Sequence, residues 1–308
     1  MSIIARSHEC PACGALMIQR KTWIKECQCC GYLRSELQPG AGAVIGGLEQ
    51  LRRTNFETIL DWLARHVPLD RGRLLEVGSD HGWFLEAAAR RGMVVEGLEA
   101  HEVSAAATRA KGFRVTAGFF PQDARGLGPY SVIAFNDVFE HVAEPDLAIR
   151  TIEDLLAPGG IVLLNQPTAE GVLFRIAQAL DNMGWSAPYE RLWQKGLPSP
   201  HISYFTPSNL VKLAKRHTSL RLLDQTTLPS MSRNGLRERI KSTFSSWKGD
   251  LMFVPLWLAS FVIDYLPADE AVVLLQKPTV YGPGNAVEND RVVTRSLQPE
   301  RLSGDRDL

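Results

Sequence analysis

Four paired cysteines, two histidines and several acids that end apolar runs are the residues of this chain best placed to do chemistry. All five cysteines of the 308 residues lie at Cys10, Cys13, Cys27, Cys29 and Cys30. Cys10-Pro-Ala-Cys13-Gly and Cys27-Gln-Cys29-Cys30-Gly contain two Cys-x-x-Cys knuckles with thirteen residues between them. Four thiolates so spaced surround one ion tetrahedrally, and a glycine after each pair admits the turn toward it. Zinc on Cys10, Cys13, Cys27 and Cys30 is therefore expected, with Cys29 spare or able to replace a neighbour. A four-cysteine site leaves no open coordination position, so the ion is expected to staple a mini-domain too small to form its own core. Clustered cysteines without a charged-then-apolar leader point to metal rather than disulfides, and to a cytoplasmic protein.

The second constellation is a glycine loop. Leu74-Leu75-Glu76-Val77-Gly78-Ser79-Asp80-His81-Gly82-Trp83 reads as an apolar strand turning through Gly78 and Gly82 into a helix. Glycines let a ligand lie against bare backbone, and the helix N-terminus offers unpaired N–H groups at the carboxyl edge where ligands bind in open α/β sheets. The next apolar run ends in Glu99, seventeen residues after Gly82. An acid there accepts both hydroxyls of a ribose. Asp80 stands where a dinucleotide signature has its middle glycine, so a nucleoside without phosphates is expected rather than a nicotinamide cofactor. His141 and His201 are the candidate proton acceptors, since an ordinary imidazole titrates near pH ~6.5. Asp137, Glu140 and His141 together could hold a divalent ion.

These groups need elements to carry them. Short apolar runs at 73–77, 93–98, 113–116, 131–135 and 160–165 alternate with helix-length segments at 83–91, 104–111 and 145–156. Strand–helix alternation of this kind builds a parallel sheet covered on both faces. A Pro-Gly loop at 38–42 precedes a helical pattern at 48–66. A Trp- and Pro-rich stretch at 168–207 leads to another helix at 207–216, and strands at 220–226 and 271–277 flank a helical insert at 231–266. The expected organisation is a zinc ribbon at 1–37, a helical linker at 38–70, an α/β domain at 71–278 and a disordered tail at 279–308.

Together the loop and Glu99 resemble motifs I and II of class I S-adenosylmethionine-dependent methyltransferases. The resemblance runs through Asn136-Asp137-Val138-Phe139-Glu140-His141-Val142, Leu155-Leu156-Ala157-Pro158-Gly159-Gly160 and Asn165-Gln166-Pro167. It implies a doubly wound, mostly parallel, seven-stranded Rossmann-like sheet with S-adenosylmethionine as cofactor. The loop Gly78-Ser79-Asp80-His81-Gly82 would pass beneath the methionine part, Glu99 would hold the ribose, and Ala117-Gly118-Phe119 would lie beside the adenine. Asn136 and Asp137 would join the cofactor set, and a Glu76 or Asp137 carboxylate would sit near the sulfonium cation. A ribbon joined to such a sheet is similar to the sugar C-methyltransferases of deoxysugar pathways. Their Tyr-His-Glu-His and Ser-Tyr-Phe segment corresponds to Pro198-Ser199-Pro200-His201-Ile202-Ser203-Tyr204-Phe205. The resemblance makes His201 the expected general base, with His141 the second imidazole. Asp137, Glu140 and His141 resemble the acid-x-x-Glu-His cluster of the quinone O-methyltransferases, which bind a divalent ion near the acceptor oxygen.

The expected function is methyl transfer to a sugar or other small-molecule acceptor, in glycan or secondary-metabolite biosynthesis. An RNA base methyltransferase and a catalytically inactive cofactor-binding module are the two further readings. Formal net charge is +0, which lacks the basic footprint of a nucleic-acid partner. The apolar stretch 251–266 falls short of the ~20 residues that span a bilayer; it is expected to lid the pocket or to touch a membrane peripherally.

Overall fold

The computed structural model describes residues 9–42, 49–229 and 266–279. Three short antiparallel strands open the chain: β1 (Met17–Lys21), β2 (Ile24–Cys27) and β3 (Leu33–Ser35). Helix α1 (Glu49–Leu63) follows, turning Phe56, Ile59, Leu60 and Leu63 inward at helical spacing. The alternation then begins: β4 (Arg73–Val77), α2 (Trp83–Arg90), β5 (Val94–Glu99), α3 (Glu102–Ala110) and β6 (Arg114–Ala117). It continues with β7 (Tyr130–Asn136), α4 (Pro145–Leu155) and β8 (Leu156–Pro167).

Where the sequence pattern lapses, the chain makes α5 (Val172–Asn182), α6 (Ala187–Leu192) and a two-residue strand, β9 (Ser203–Tyr204). Helix α7 (Pro207–His217) starts on a capping box, in which the Thr206 hydroxyl and the Asn209 amide each satisfy the other's backbone N–H. Strands β10 (Arg221–Leu228) and β11 (Glu270–Gln276) close the fold. The insert expected at 231–266, with its membrane-facing stretch 251–266, lies outside the described residues except for Leu266. So does the tail at 279–308, except for Thr279. Among the described residues no helix is long and apolar enough to cross a membrane.

The main sheet has seven strands in the order β10-β11-β8-β7-β4-β5-β6. Strands β6, β5, β4, β7 and β8 run parallel, while β11 is antiparallel to both β8 and β10. This is the expected doubly wound, mostly parallel architecture. The chain moves outward from β4 through β5 to β6, then crosses to β7 on the other side. The crevice where ligands bind therefore opens at the carboxyl ends of β4 and β7. Alternate residues divide the core: Leu75, Val77, Ile133, Phe135, Val162 and Leu164 face α4 and α7. Leu74, Val132, Ala134, Ile161 and Leu163 face α1 and α2. Strands buried on both faces read as continuous apolar runs.

The ribbon does not stand apart. Its three strands and β9 form a second sheet, β1-β2-β3-β9, with Leu33 opposite Tyr204 and Arg34 opposite Ser203. Cys10, Met17, Cys27 and Tyr32 belong to the same apolar cluster as the face of the main sheet beneath α4 and α7. Ile24 and Leu33 pack with Phe174, Tyr189, Trp193 and Tyr204.

Leu163 is fully buried at the centre of β8. Leu163→Ala is expected to lower unfolding stability by about 2–5 kcal/mol through lost transfer energy and a residual cavity, read from urea midpoints at unchanged slope.

Candidate active site

The glycine loop forms as its sequence dictates. Gly78, Asp80 and Gly82 have φ of 72°, 39° and 73°, a left-handed path that an ordinary side chain resists. A Cβ on Gly78 would lie 2.3 Å from Val138 Cγ2, so no larger residue fits there. Asp80 N–H donates to Glu99 Oε2 (2.8 Å) and His101 N–H to Glu99 Oε1 (2.7 Å). Two main-chain donors thus fix the carboxylate at the end of β5, where it lines the cavity together with Gly78 and Asp80.

Glu76, Ser79 and Gly82 are absent from that lining. Glu76 is 2% exposed and accepts from Asn136 Nδ2 at 3.1 Å; it braces the loop from behind rather than facing the crevice. Burial pushes its carboxyl well above the usual range, an effect opposed by the Asn136 hydrogen bond and reinforced by Glu99 and Asp80. Ser79 is buried under the loop against Gly97, and Gly82 caps α2 against Thr108. Glu76, Ser79 and Gly82, expected in the cofactor set, thus stand behind the cavity lining rather than on it.

Beyond β6, Gly118 and Phe119 line the cavity as expected, with Phe119 50% exposed. Next to them stands Asp123, an acid the sequence did not single out. A 3-10 turn at Gln122–Ala124 brings its Oδ2 back to accept from Phe119 N–H at 2.7 Å, and it too lines the cavity. It escaped notice because it follows the strand by six residues, on a turn without periodic signal.

The opposite wall is built around two imidazoles. Glu140 and His141 sit on a 3-10 turn after β7, and His201 lies just before β9. The rings of His141 and His201 meet edge to face with centroids 4.8 Å apart. His141 Nδ1 lies 2.8 Å from the Pro200 carbonyl; a carbonyl only accepts, so Nδ1 carries the proton and Nε2 is left with its lone pair. Gln194 Nε2 donates to His201 Nε2 at 2.9 Å. Burial lowers the pKa of both rings, His201 further than His141, so both are neutral near pH 7. Glu140 is 1% exposed, with neither carboxylate oxygen hydrogen-bonded among the described residues. Its Oε1 lies 3.8 Å from His141 Nε2 and 3.9 Å from His201 Nε2. Burial, with Asp137 adding to it, pushes the Glu140 carboxyl well up.

Asp137, expected to act with Glu140 and His141, instead pairs with Arg52 at 2.9 Å. The group whose ligating atoms come within 4.8 Å of one another is Glu140, His141 and His201. Arg52 and Gln194 were not found from the sequence. Arg52 reads there as one more cation on a helix, and the φ of 52° that aims Gln194 has no sequence signature.

Both walls border one cavity of about 860 Å³, which also reaches Asn136, Asp137, Arg191, Ser199 and Tyr204. That volume lies within the range of small-molecule and cofactor sites. Away from it, the ribbon gathers Cys10, Cys13, Cys27 and Cys30 with all four sulfurs within 4.8 Å. Cys13 and Cys27 are 3.4 Å apart and Cys10 and Cys30 3.6 Å. A tetrahedron of ~2.3 Å metal–sulfur bonds has edges of roughly 3.8 Å, whereas a disulfide needs ~2.05 Å. The donor set fits a metal ion. Cys29 is exposed and outside that group.

A family model described as a methyltransferase domain matches residues 49–217. Two curated relatives, the ubiquinone biosynthesis O-methyltransferases of Caulobacter sp. strain K31 and Caulobacter vibrioides, are each 32% identical. The matches cover 45% and 46% of this chain and 59% and 60% of theirs; the chain thus spans about three fifths of the curated relatives it matches. Among solved structures, a cyclopropane synthase from Mycobacterium tuberculosis has a TM-score of 0.55 at 16% identity, over 78% of this chain and 90% of that one. A magnesium protoporphyrin IX methyltransferase from Synechocystis PCC 6803, with bound SAH, has 0.50 at 11% identity, over 77% and 90%. At such identities these likenesses show the fold.

The raised pKa of Glu76 has a signed consequence. A carboxyl whose folded pKa exceeds its unfolded one contributes stability that is complete below the unfolded value and is lost as pH rises through the folded value. Glu76→Gln removes this dependence, so the variant is expected to gain on the wild type as pH rises from 4 toward 8. Denaturant melts across that range check the sign; a difference that is flat with pH would refute it.

Proposed function

Because the chain belongs to the methyltransferase domain family, we propose that it moves a methyl group from S-adenosylmethionine to a small-molecule acceptor seated against His141 and His201. The observation that carries this reading is the single cavity joining Glu99 and the glycine loop on one wall to the two imidazoles on the other. The residues fit the cofactor: a bare, left-handed loop for the methionine end, an anchored carboxylate for a ribose, and exposed Phe119 beside Asp123 for a base. Bound there, S-adenosylmethionine supplies a methyl group on a sulfonium cation. Asp80 and Glu99 give the wall a charge that suits it.

For a hydroxyl acceptor the chain must hold the oxygen in line and take up its proton. That role falls to His141 rather than to the expected His201. His141 has its Nε2 lone pair unengaged and its Nδ1–H anchored on Pro200, whereas Gln194 occupies Nε2 of His201. A sugar hydroxyl, as the ribbon and the His-Ile-Ser-Tyr-Phe segment suggest, and a phenol, as the names of the curated relatives suggest, place the same demand on this base. Zinc is the ion proposed for the ribbon, on Cys10, Cys13, Cys27 and Cys30. The RNA reading loses support from the acids bordering the cavity, among them Asp80, Glu99, Asp123, Asp137 and Glu144, which repel phosphate.

One further reading has its own observation. A buried carboxyl with two unpartnered oxygens beside two neutral imidazoles is a donor set for a divalent ion. Glu140, His141 and His201 would hold it, in place of the Asp137-containing set. Elemental analysis separates the two readings. About one zinc per chain supports the ribbon alone; a second divalent ion, lost in Glu140→Gln, supports the trio.

Thermal melts test the main reading. Saturation to 100 times Kd is expected to add about 2.7 kcal/mol of stability, and Glu99→Ala to abolish most of the gain. No shift with S-adenosylmethionine in the wild type would refute cofactor binding. Once an acceptor is found by a mass gain of one methyl group, His141→Gln is expected to lower kcat by about 10²–10⁴ at unchanged cofactor Kd. Retained binding without turnover on any extract would instead favour an inactive module.

A further inference from the structure

The loop 199–203, which carries His201, has little regular structure to hold it. Its backbone is held by the ribbon, by Trp193, whose carbonyl accepts from His201 N–H at 3.0 Å, and by the turn bearing Glu140 and His141. On one side, Ser35 N–H donates to the Ile202 carbonyl at 2.8 Å, and the Ser35 hydroxyl donates to the His201 carbonyl at 2.8 Å. The Tyr32 hydroxyl and Ser203 Oγ lie 2.6 Å apart, both fully buried, and the Tyr32 ring packs on Phe205. Arg34 reaches across to the Ala143 carbonyl, two residues past His141. On the other side, Ile202 N–H donates to the Glu140 carbonyl at 2.8 Å. The Pro200 carbonyl, adjacent to His201, is the acceptor that fixes the proton on His141 Nδ1.

The ribbon's own end of this chain of contacts is its second knuckle. Cys27 N–H donates to the Tyr32 carbonyl and Gly31 N–H to the Cys27 carbonyl, while Asn209 Nδ2 grips the Cys30 carbonyl at 2.7 Å. Four sulfurs around one ion would hold that turn closed, and β3 leaves it directly. A strand pair of two residues, β3 with β9, has no independent stability. It is supported on the other edge of β3 by β2 and at the start of β3 by the knuckle.

We propose that the ribbon metal, acting through Tyr32 and the positioning residue Ser35, sets the loop 199–203 and with it the proton placement on His141. The metal would do so from outside the cavity, with no open coordination site and no contact with substrate. Among the described residues no hydrogen bond joins β4, β5 or the glycine loop to the ribbon, so the cofactor half is expected to respond less to it. This inference rests on the acceptor-side role given to His141, yet its readouts need no acceptor.

The experiment compares the metal-loaded full chain with the same chain after its ribbon thiolates are titrated with an organomercurial and the released zinc is chelated. Three readouts are taken: hydrogen exchange by peptide, the histidine ring spectrum by long-range 1H–15N NMR, and S-adenosylmethionine affinity by calorimetry. Metal release is expected to speed exchange at least tenfold in peptides covering 199–206 and to leave those covering 73–82 and 94–100 within twofold. The His141 signal is expected to pass from an Nδ1–H tautomer to a mixture of the two tautomers, with cofactor Kd within twofold. Ser35→Ala, which keeps all four thiolates, is expected to retain its zinc and to reproduce the tautomer mixing in part. Unchanged exchange at 199–206, an equal rise in all peptides, or an unaltered His141 tautomer in both the metal-free chain and the variant would each overturn the proposal. Failure of S-adenosylmethionine to bind the metal-loaded wild type would refute methyl transfer instead, leaving the exchange and tautomer results to stand on their own.

Discussion

Burial on both faces of β4 and β7 is the constraint from which the site follows. With Leu74, Leu75, Val132, Ile133, Ala134 and Phe135 all fully enclosed, neither strand can carry an accessible polar group over these stretches. Polar chemistry must emerge where the strands stop. Gly78 and Asp80 follow the end of β4, and Asp137, Glu140 and His141 follow the end of β7. Both turns use left-handed backbone, at Gly78, Asp80 and Asp137, because a chain leaving a buried strand for a helix must bend within a few residues. The strain of a non-glycine residue there is held by specific partners: Asp80 by Glu99, and Asp137 by the Asn165 carbonyl and Arg52.

The same enclosure decides which carboxylates face the ligand. Glu76 and Glu99 both lie near the carboxyl ends of parallel strands, yet only one lines the cavity. Glu99 accepts from two main-chain N–H groups at the strand's last residue. Glu76 lies one residue short of the end of β4, where its side chain meets Asn136 inside the core. Glu76 stands opposite Gly97, so Glu99 lies on the same face but two residues nearer the carboxyl edge; depth in the sheet, not the face, separates the two acids. The motif therefore contains one acid for the ligand and one for the loop, and a residue list without a register could not separate them.

Much of the main sheet was legible because its signals are local. Apolar runs bounded by Gly and Pro mark the strands, and the glycine loop with an acid after the next strand marks the cofactor wall. The acceptor wall was legible only in fragments. His141 and His201 stand out as residue types, but their meeting depends on fifty-nine intervening residues, whose Trp- and Pro-rich part hid two helices. Asp123 and Gln194 reach the cavity through turn geometry, for which no periodicity exists. Asp137 drew attention beside Glu140 and His141 in sequence, and was then neutralised by Arg52 from a distant helix. Contacts that close over long loops leave the weakest mark on a sequence, because no short-range pattern is needed to make them.

The ribbon shows what such a contact can add. Read alone, thirty residues with four thiolates make a staple for a mini-domain, since so short a chain buries too little surface to hold itself. In the folded chain its apolar residues are shared with the main core, and the free edge of β3 is covered by β9. An uncovered edge strand invites pairing with any extended segment; here the segment that answers is the one bearing His201. Once that pairing is made, the acceptor wall has backbone support from β3 and the turn that precedes it, in addition to the hydrogen bond from His201 N–H to the Trp193 carbonyl within its own stretch. A site needing two imidazoles at a fixed separation can then be built on irregular chain, provided the support comes from the side opposite the cavity.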